Sequence, residues 1–173
     1  MWLKELYLKN FRSCEDTKVE LSREITVLIG ENASGKSAVV DGIRAVTTSA
    51  IERGGLTYSV ESDVSRNSDP QSPVEVMARY TDLSDAQKAV FMTELVDEHD
   101  DLIYRNTFSR NPDEPYWKAS HFTVGDVNVD DPEPINRRRI AHVYLPPLRD
   151  AVRELDSGGG ERLSEVLRVL TSK

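Results

Sequence analysis

Apolar and polar residues alternate from the second position onward. In WLKELYL, Trp2, Leu6 and Leu8 share one side, with Leu3 and Tyr7 on the other. That period of two predicts a strand over residues 2–8. A turn-like NFRSCED follows, and TKVEL predicts a second strand. Residues 25–29, ITVLI, are largely apolar and β-branched, which predicts a buried third strand. The period then changes. Val39, Val40, Ile43 and Val46 recur at helical spacing, so a helix should begin inside a glycine-bearing stretch and run to about Ala50.

Residues 53–73 are rich in Gly, Ser, Asp and Asn and predict a long, partly mobile loop, with a short strand at LTYSV. Strict alternation returns in PVEVMARYTDL, with Val74, Val76, Ala78 and Tyr80 on one side of a strand. Ser84 should cap a helix carrying Ala89, Phe91, Met92, Leu95 and Val96. DLIYRNTFSR and YWKASHFTV predict an antiparallel hairpin turned at NPDEP. An acidic loop over residues 126–134 precedes three arginines and IAHVYL, expected to be a buried strand. Two helical pieces, broken by SGGG, should occupy residues 148–173. With no internal repeat, the pattern describes an α/β chain with a mixed sheet and an antiparallel β arm.

A length of 173 residues suits one domain with a core of its own. The net charge of −8 argues against a surface that coats nucleic acid everywhere. Arg137, Arg138 and Arg139 remain a local basic cluster, more simply read as a solvated answer to the acidic loop before them. No apolar run reaches membrane-spanning length, so no membrane partner is expected. The lone Cys14 has no partner for an internal disulfide, which suits a reducing cytoplasm. His99, His121 and His142 are scattered, without carboxylates at ligand spacing.

The strongest chemical signal lies between the third strand and the first helix. Gly30, Gly35, Lys36 and Ser37 satisfy G-x-x-x-x-G-K-[ST], with Glu31, Asn32, Ala33 and Ser34 between the glycines. Glycines let the backbone close around phosphate so that successive N–H groups point at its oxygens. The helix beginning there adds the positive end of its dipole. Lys36 is expected on the β- and γ-phosphates, and the Ser37 hydroxyl on Mg²⁺. This is the signature of a P-loop NTPase, whose cofactors would be a nucleotide and Mg²⁺. A guanine-reading Asn/Thr-Lys-x-Asp motif is absent downstream of Lys36, which favours ATP over GTP.

LKELYLKNFRSCEDTKVEL followed by ITVLIGENASGKS resembles the opening of the SMC, RecF and RecN group of ABC-type ATPases. In that group the first strand ends in NFR and the loop reads G-x-N-x-x-G-K-S. Asn10, Phe11 and Arg12 match the first pattern and Asn32 the second. The resemblance implies an ABC-ATPase head in which Arg12 and Asn32 also touch the nucleotide. Read from the residues alone, Arg12 is a solvated turn residue and Asn32 a turn-forming amide. Arg12 should therefore support ligand binding without being needed for folding. Ala33 stands where many members have glycine, a change expected to matter little because its N–H remains. Residues 143–170 are similar to the segment after the antiparallel arm of OLD-family (overcoming lysogenization defect) proteins. Those proteins join such an ATPase to a TOPRIM nuclease, often in defence against phage; another SMC-like branch is the alternative.

Hydrolysis in this class requires a Walker B strand ending in Asp-Glu and a signature serine supplied by a second subunit. Asp97–Glu98 sits at the charged end of a predicted helix, and Ser157 precedes one glycine too many. Neither is a convincing substitute. Residues 1–173 thus read as the N-terminal lobe of a head, lacking the rest of the head and any nuclease domain. The last helix carries an apolar stripe of Leu163, Val166, Leu167 and Leu170 that wants a partner. Expected partners are the remainder of the head, a second copy in a homodimer or higher oligomer, and DNA. A stand-alone nucleotide-binding module, signalling through that helix, is the alternative function.

Overall fold

A computed structural model describes residues 1–47, 60–69, 71–92, 100–109, 118–124 and 127–129, with positions 136, 139, 140 and 144. The chain divides into two compact units, Met1–Arg139 and Ile140–Lys173. Of the second, only Ile140 and Tyr144 are described, and neither lies in a strand. The rest of the expected strand at residues 140–145 falls outside the described residues, as do the helical pieces at 148–173 and the NPDEP turn.

The first unit is a sheet with a helix against one face. β1 (Trp2–Phe11) and β2 (Cys14–Glu20) form the predicted first hairpin. α1 (Lys36–Thr47) follows, then a single turn, α2 (Val60–Asp63). β3 (Val74–Thr81), α3 (Asp85–Val90), β4 (Leu102–Ser109), β5 (Lys118–Val124) and β6 (Val127–Val129) complete the order. The strands are arranged β2-β1-β3-β4-β5-β6, and every described pair is antiparallel. The arm predicted from residues 101–124 is therefore continuous with the main sheet. β6 forms at the start of what the sequence suggested was only an acidic loop.

Alternation explains the core. Leu6 and Leu8 of β1 stand opposite Ala78 and Val76 of β3, and all are fully buried. β4 continues that face with Leu102, Tyr104 and Phe108, again out of water. α1 covers it with Ala38, Val39, Ala45 and Val46. The side-chain amide of Asn106, buried on β4, donates to the Ala45 carbonyl at 2.6 Å and ties the helix to the sheet.

Gly42 lies where α1 crosses β1. A Cβ there would come within 2.6 Å of Leu8 Cδ2, and Leu8 itself has no free surface to move toward. Gly42→Val should therefore destabilise the chain by about 1–3 kcal/mol through overpacking, outweighing the smaller gain in helix propensity. Urea unfolding reads this directly. An unmoved midpoint would mean that α1 lifts away from the strand at no cost.

Three expectations change. Residues 25–29 do not form a strand: Ile25, Val27 and Ile29 are 77%, 71% and 90% exposed. β-branched side chains favour a pleated, half-buried surface, yet a strand also needs a ladder partner, and no described strand pairs with this segment. The helix after Ser84 is capped as expected, with a full Ser84–Gln87 capping box, but α3 ends at Val90 with Phe91 as its C-cap. Phe91 is buried, whereas Met92 is 73% exposed and leaves the predicted stripe. Residues 93–99, including Asp97–Glu98, lie outside the described residues. The stretch at 53–73 is not all loop, because α2 forms within it and Val64 bridges to Phe11. No helix among the described residues is long and apolar enough to cross a membrane.

Candidate functional site

β1 and β2 join through Arg12 and Ser13, since Phe11 pairs with Cys14. So tight a hairpin turn favours a positive φ at its first residue, and Arg12 adopts one at 53°. Ser13 and Cys14 then support the glycine loop. A Cβ on Gly35, whose φ is +97°, would lie 3.1 Å from Ser13 Oγ and 3.5 Å from Cys14 Sγ. Only glycine meets both the dihedral and the space.

Ala33 departs from the expectation that its replacement of glycine is immaterial. Its φ is 64°, in the left-handed region where a Cβ costs about 1–2 kcal/mol. Ala33→Gly should raise stability by about 1 kcal/mol after the entropy cost of glycine. A thermal melt showing a loss would mean that neighbouring contacts of the Ala33 methyl outweigh the strain.

The loop closes around the Lys36 ammonium. Lys36 Nζ donates to the Gly30 carbonyl at 2.7 Å, the Glu31 carbonyl at 2.5 Å and Ser34 Oγ at 3.3 Å. α1 starts at Lys36, and the Val39 N–H bonds back to the Gly35 carbonyl at 3.0 Å. The N–H groups before Val39 therefore have no partner within the helix. No acidic residue occupies the first turn of α1, so the positive end of its dipole is not neutralised there.

A cavity of about 820 Å³ opens beside this loop. Residues 32–37 and Arg12 line it, bringing together most of the residues that the sequence singled out. Gly30 and Glu31 are not on its wall; they stand behind Lys36 through their carbonyls. Ser37 lines the cavity with its side chain exposed, in the first turn of α1.

A second part of the lining was not foreseen. Ser62, Val64, Ser65, Arg66 and Asn67 form it. Hydrogen bonds hold this segment to the first hairpin. The Arg12 N–H donates to the Asp63 carbonyl at 2.7 Å, the Ser65 N–H to the Asn10 carbonyl at 3.2 Å, and Asn67 Nδ2 to Glu15 Oε1 at 2.6 Å.

Arg12 itself is no solvated turn residue. Its Nε donates to Asp63 Oδ1 at 2.7 Å, and one terminal nitrogen, Nη1, donates to Asp41 Oδ2. Asp41 also accepts from Arg44 at 2.9 Å. The Arg12 guanidinium lies 5.1 Å from the Phe11 ring centroid. Burial works against its charge, but hydrogen bonds to Asp63 and Asp41 outweigh that and raise its pKa above the usual arginine value. The expectation that Arg12 is dispensable for folding is thereby revised. Arg12→Ala should cost the ligand-free chain about 1–3 kcal/mol, because two charge-assisted bonds to carboxylates are lost. A urea midpoint that does not move would return Arg12 to the role of a solvated turn residue.

A family model described as AAA ATPase domain matches residues 1–119. The DNA double-strand break repair Rad50 ATPase of Sulfolobus acidocaldarius is 49% identical over 43 residues, covering 25% of this chain and 5% of the relative. The DNA replication and repair protein RecF of Synechocystis sp. is 42% identical over 48 residues, covering 28% of this chain and 12% of the relative. The matched part is thus a small fraction of either relative's own length. A structure solved in a study of ATP-driven dimerization and DNA-stimulated activation of SMC ATPases superposes with a TM-score of 0.62 at 18% identity. That superposition covers 98% of this chain and 99% of the solved one, and it establishes a shared α/β P-loop NTPase fold.

Proposed function

The chain belongs to the AAA ATPase domain family, and on that premise we propose that it is the ATP-binding lobe of an SMC/RecF-like ATPase. The carrying observation is the closed loop of residues 30–35 at the start of α1, with the Lys36 ammonium inside it and Arg12 on the same cavity.

The residues fit a polyphosphate. A Cβ at Gly30 would fall 2.6 Å from Ser34 Oγ, so a side chain there would crowd the cradle. Lys36 brings positive charge, and the first N–H groups of α1 are free of helical partners. Asn32, Ala33, Ser34 and Gly35 offer backbone to the ligand along the cavity wall. Ser37 would hold the Mg²⁺ that travels with the nucleotide, and the ion would supply neutralisation of phosphate charge. ATP is the nucleotide proposed, because the family matched over residues 1–119 is described as an ATPase domain.

The intact protein would use this lobe to couple ATP binding and hydrolysis to DNA processing, consistent with the repair roles in the relatives' names. Its partners would be the remainder of an ATPase head and a second copy brought in by ATP, with DNA acting on the assembly. Residues 25–29 support the first of these: Ile25, Val27 and Ile29 present β-branched side chains to solvent directly before the loop. A strand from the rest of the head would satisfy both their backbone and their apolar surface. The finer assignment, to an OLD-type ATPase joined to a nuclease, rests on the resemblance of residues 143–170. Reading the coding sequence beyond Lys173 tests it: a Walker B strand followed by a TOPRIM acidic cluster supports it, and a coiled-coil arm points to another SMC-like branch.

Nucleotide binding is tested by thermal unfolding with MgATP and MgGTP. At a concentration a hundred times its Kd, MgATP should stabilise the chain by about 2.7 kcal/mol, and MgGTP by less at the same concentration. Failure of millimolar MgATP to raise the melting temperature would remove the reading.

A further inference from the structure

We infer that Asp63 is a positioning residue for the nucleotide site, acting through Arg12, which rests on the ATP-binding reading. Asp63 is buried at 5% exposure at the end of α2, immediately before the Val64 to Asn67 wall of the cavity. It meets Arg12 twice. Its carbonyl accepts the Arg12 N–H at 2.7 Å, and its carboxylate accepts Arg12 Nε at 2.7 Å.

A guanidinium offers donors on three nitrogens in a fixed plane. Asp63 engages Nε and Asp41 engages Nη1, which fixes that plane between α2 and α1. Among the described residues no hydrogen bond occupies Nη2, and Arg12 lines the cavity. The two carboxylates thus orient Arg12 and leave one nitrogen for a ligand. Because α2 leads directly into residues 64–67 of the lining, the same contact ties that part of the cavity to Arg12.

Charge gives the proposal a sign that distinguishes it. Arg12, Arg44, Asp41 and Asp63 together sum to zero, so the cluster is not simply an attractor for anions. If Asp63 acted only as a nearby negative charge, neutralising it would tighten binding of the anionic nucleotide. If it positions Arg12, neutralising it weakens binding although a repulsive charge has gone. A carboxylate that merely stabilises the fold would change the ligand-free melting temperature and leave affinity alone.

The experiment is calorimetric titration of MgATP into the full chain and its Asp63→Asn, Arg12→Ala and doubly substituted forms. Asp63→Asn should weaken MgATP about three- to tenfold, the loss of one oriented hydrogen bond, and less than about twofold in the Arg12→Ala background. Asp63→Glu, which keeps the charge, should recover part of the loss. Tighter or unchanged binding in Asp63→Asn overturns the proposal, as does an equal loss in both backgrounds. Should Asp63→Asn fail to fold by circular dichroism, Asp41→Asn takes its place, since it frees the other side of the same guanidinium. Equal loss with and without Arg12 then overturns the proposal. A wild-type chain that does not bind MgATP overturns the ATP-binding reading itself, and this proposal with it.

Discussion

Lys36→Ala should weaken MgATP binding by about ten- to a hundredfold, the equivalent of one charge-assisted contact to phosphate, about 1.5–3 kcal/mol. The ammonium is held by the Gly30 and Glu31 carbonyls and by Ser34 Oγ, all from the loop it would serve. Phosphate oxygens entering the loop would meet a cation already centred there, so little side-chain entropy remains to be lost on binding. The same contacts warn of a second effect. Without the ammonium, loop carbonyls lose their donor and the loop is less ordered before ligand arrives. Titration should therefore show the affinity loss, and the ligand-free melting temperature should fall only slightly, because Gly30 and Glu31 are exposed and water can replace the lysine. Equal affinities for the two proteins would remove Lys36 from the site.

The second large effect concerns turnover. Residues 1–173 should hydrolyse MgATP more slowly than about 0.01 s⁻¹, against about 1–1000 s⁻¹ for typical enzymes. Phosphoryl transfer is catalysed by positioning and by charge stabilisation around the moving phosphoryl group. This chain supplies the loop, Lys36, Ser37 and Arg12, which on the proposed reading would surround the phosphates from one side. A water-orienting carboxylate and a cation or dipole from a facing subunit are each worth orders of magnitude; a supplied arginine finger alone contributes about 10³–10⁵. Asp97–Glu98 and Ser157 are the residues in the sequence that could stand in for these groups, and both lie outside the described residues. Steady-state assays on purified protein settle the matter. Ordinary ATPase rates that vanish with Lys36→Ala and with either Glu98→Gln or Ser157→Arg would make one of those residues catalytic. Rates indifferent to Lys36 would come from a contaminant.

What the sequence disclosed about the site was local chemistry. Gly30 to Ser37 can be recognised because close approach of backbone to phosphate imposes residue types at fixed offsets, whatever surrounds them. The hairpin of β1 and β2 and the helix α1 were legible for a similar reason, since periods of two and 3.6 are written within a dozen residues. Contacts across long separations were not. Asp63 meets Arg12 from 51 positions away, and nothing near either residue announces the other. Asp41 was closer to view, one helical turn after Ser37, but its service to both Arg12 and Arg44 needed the fold. Residues 25–29 show the converse. Their residue types favour a strand, but propensity belongs to a residue whereas pairing belongs to two segments. The φ of 64° at Ala33 is a property of the folded backbone that the residue type does not announce.

The bare row of Ile25, Val27 and Ile29 also bears on how this chain is made. Synthesis proceeds from the N-terminus at about 5–20 residues per second, so this row emerges before any later segment able to cover it. A short, β-branched, uncharged stretch in water is the kind that nucleates self-association. The flanks carry charge: Arg23 and Glu24 precede it, Glu31 follows, and Arg23 is paired with Asp82 at 3.0 Å. Such flanking charges act as gatekeepers, raising the cost of stacking one copy's row on another's while leaving the side chains available. The residues that make the row adhesive and those that keep it soluble lie within ten positions of sequence, and Glu31 serves the row's protection from inside the loop that follows.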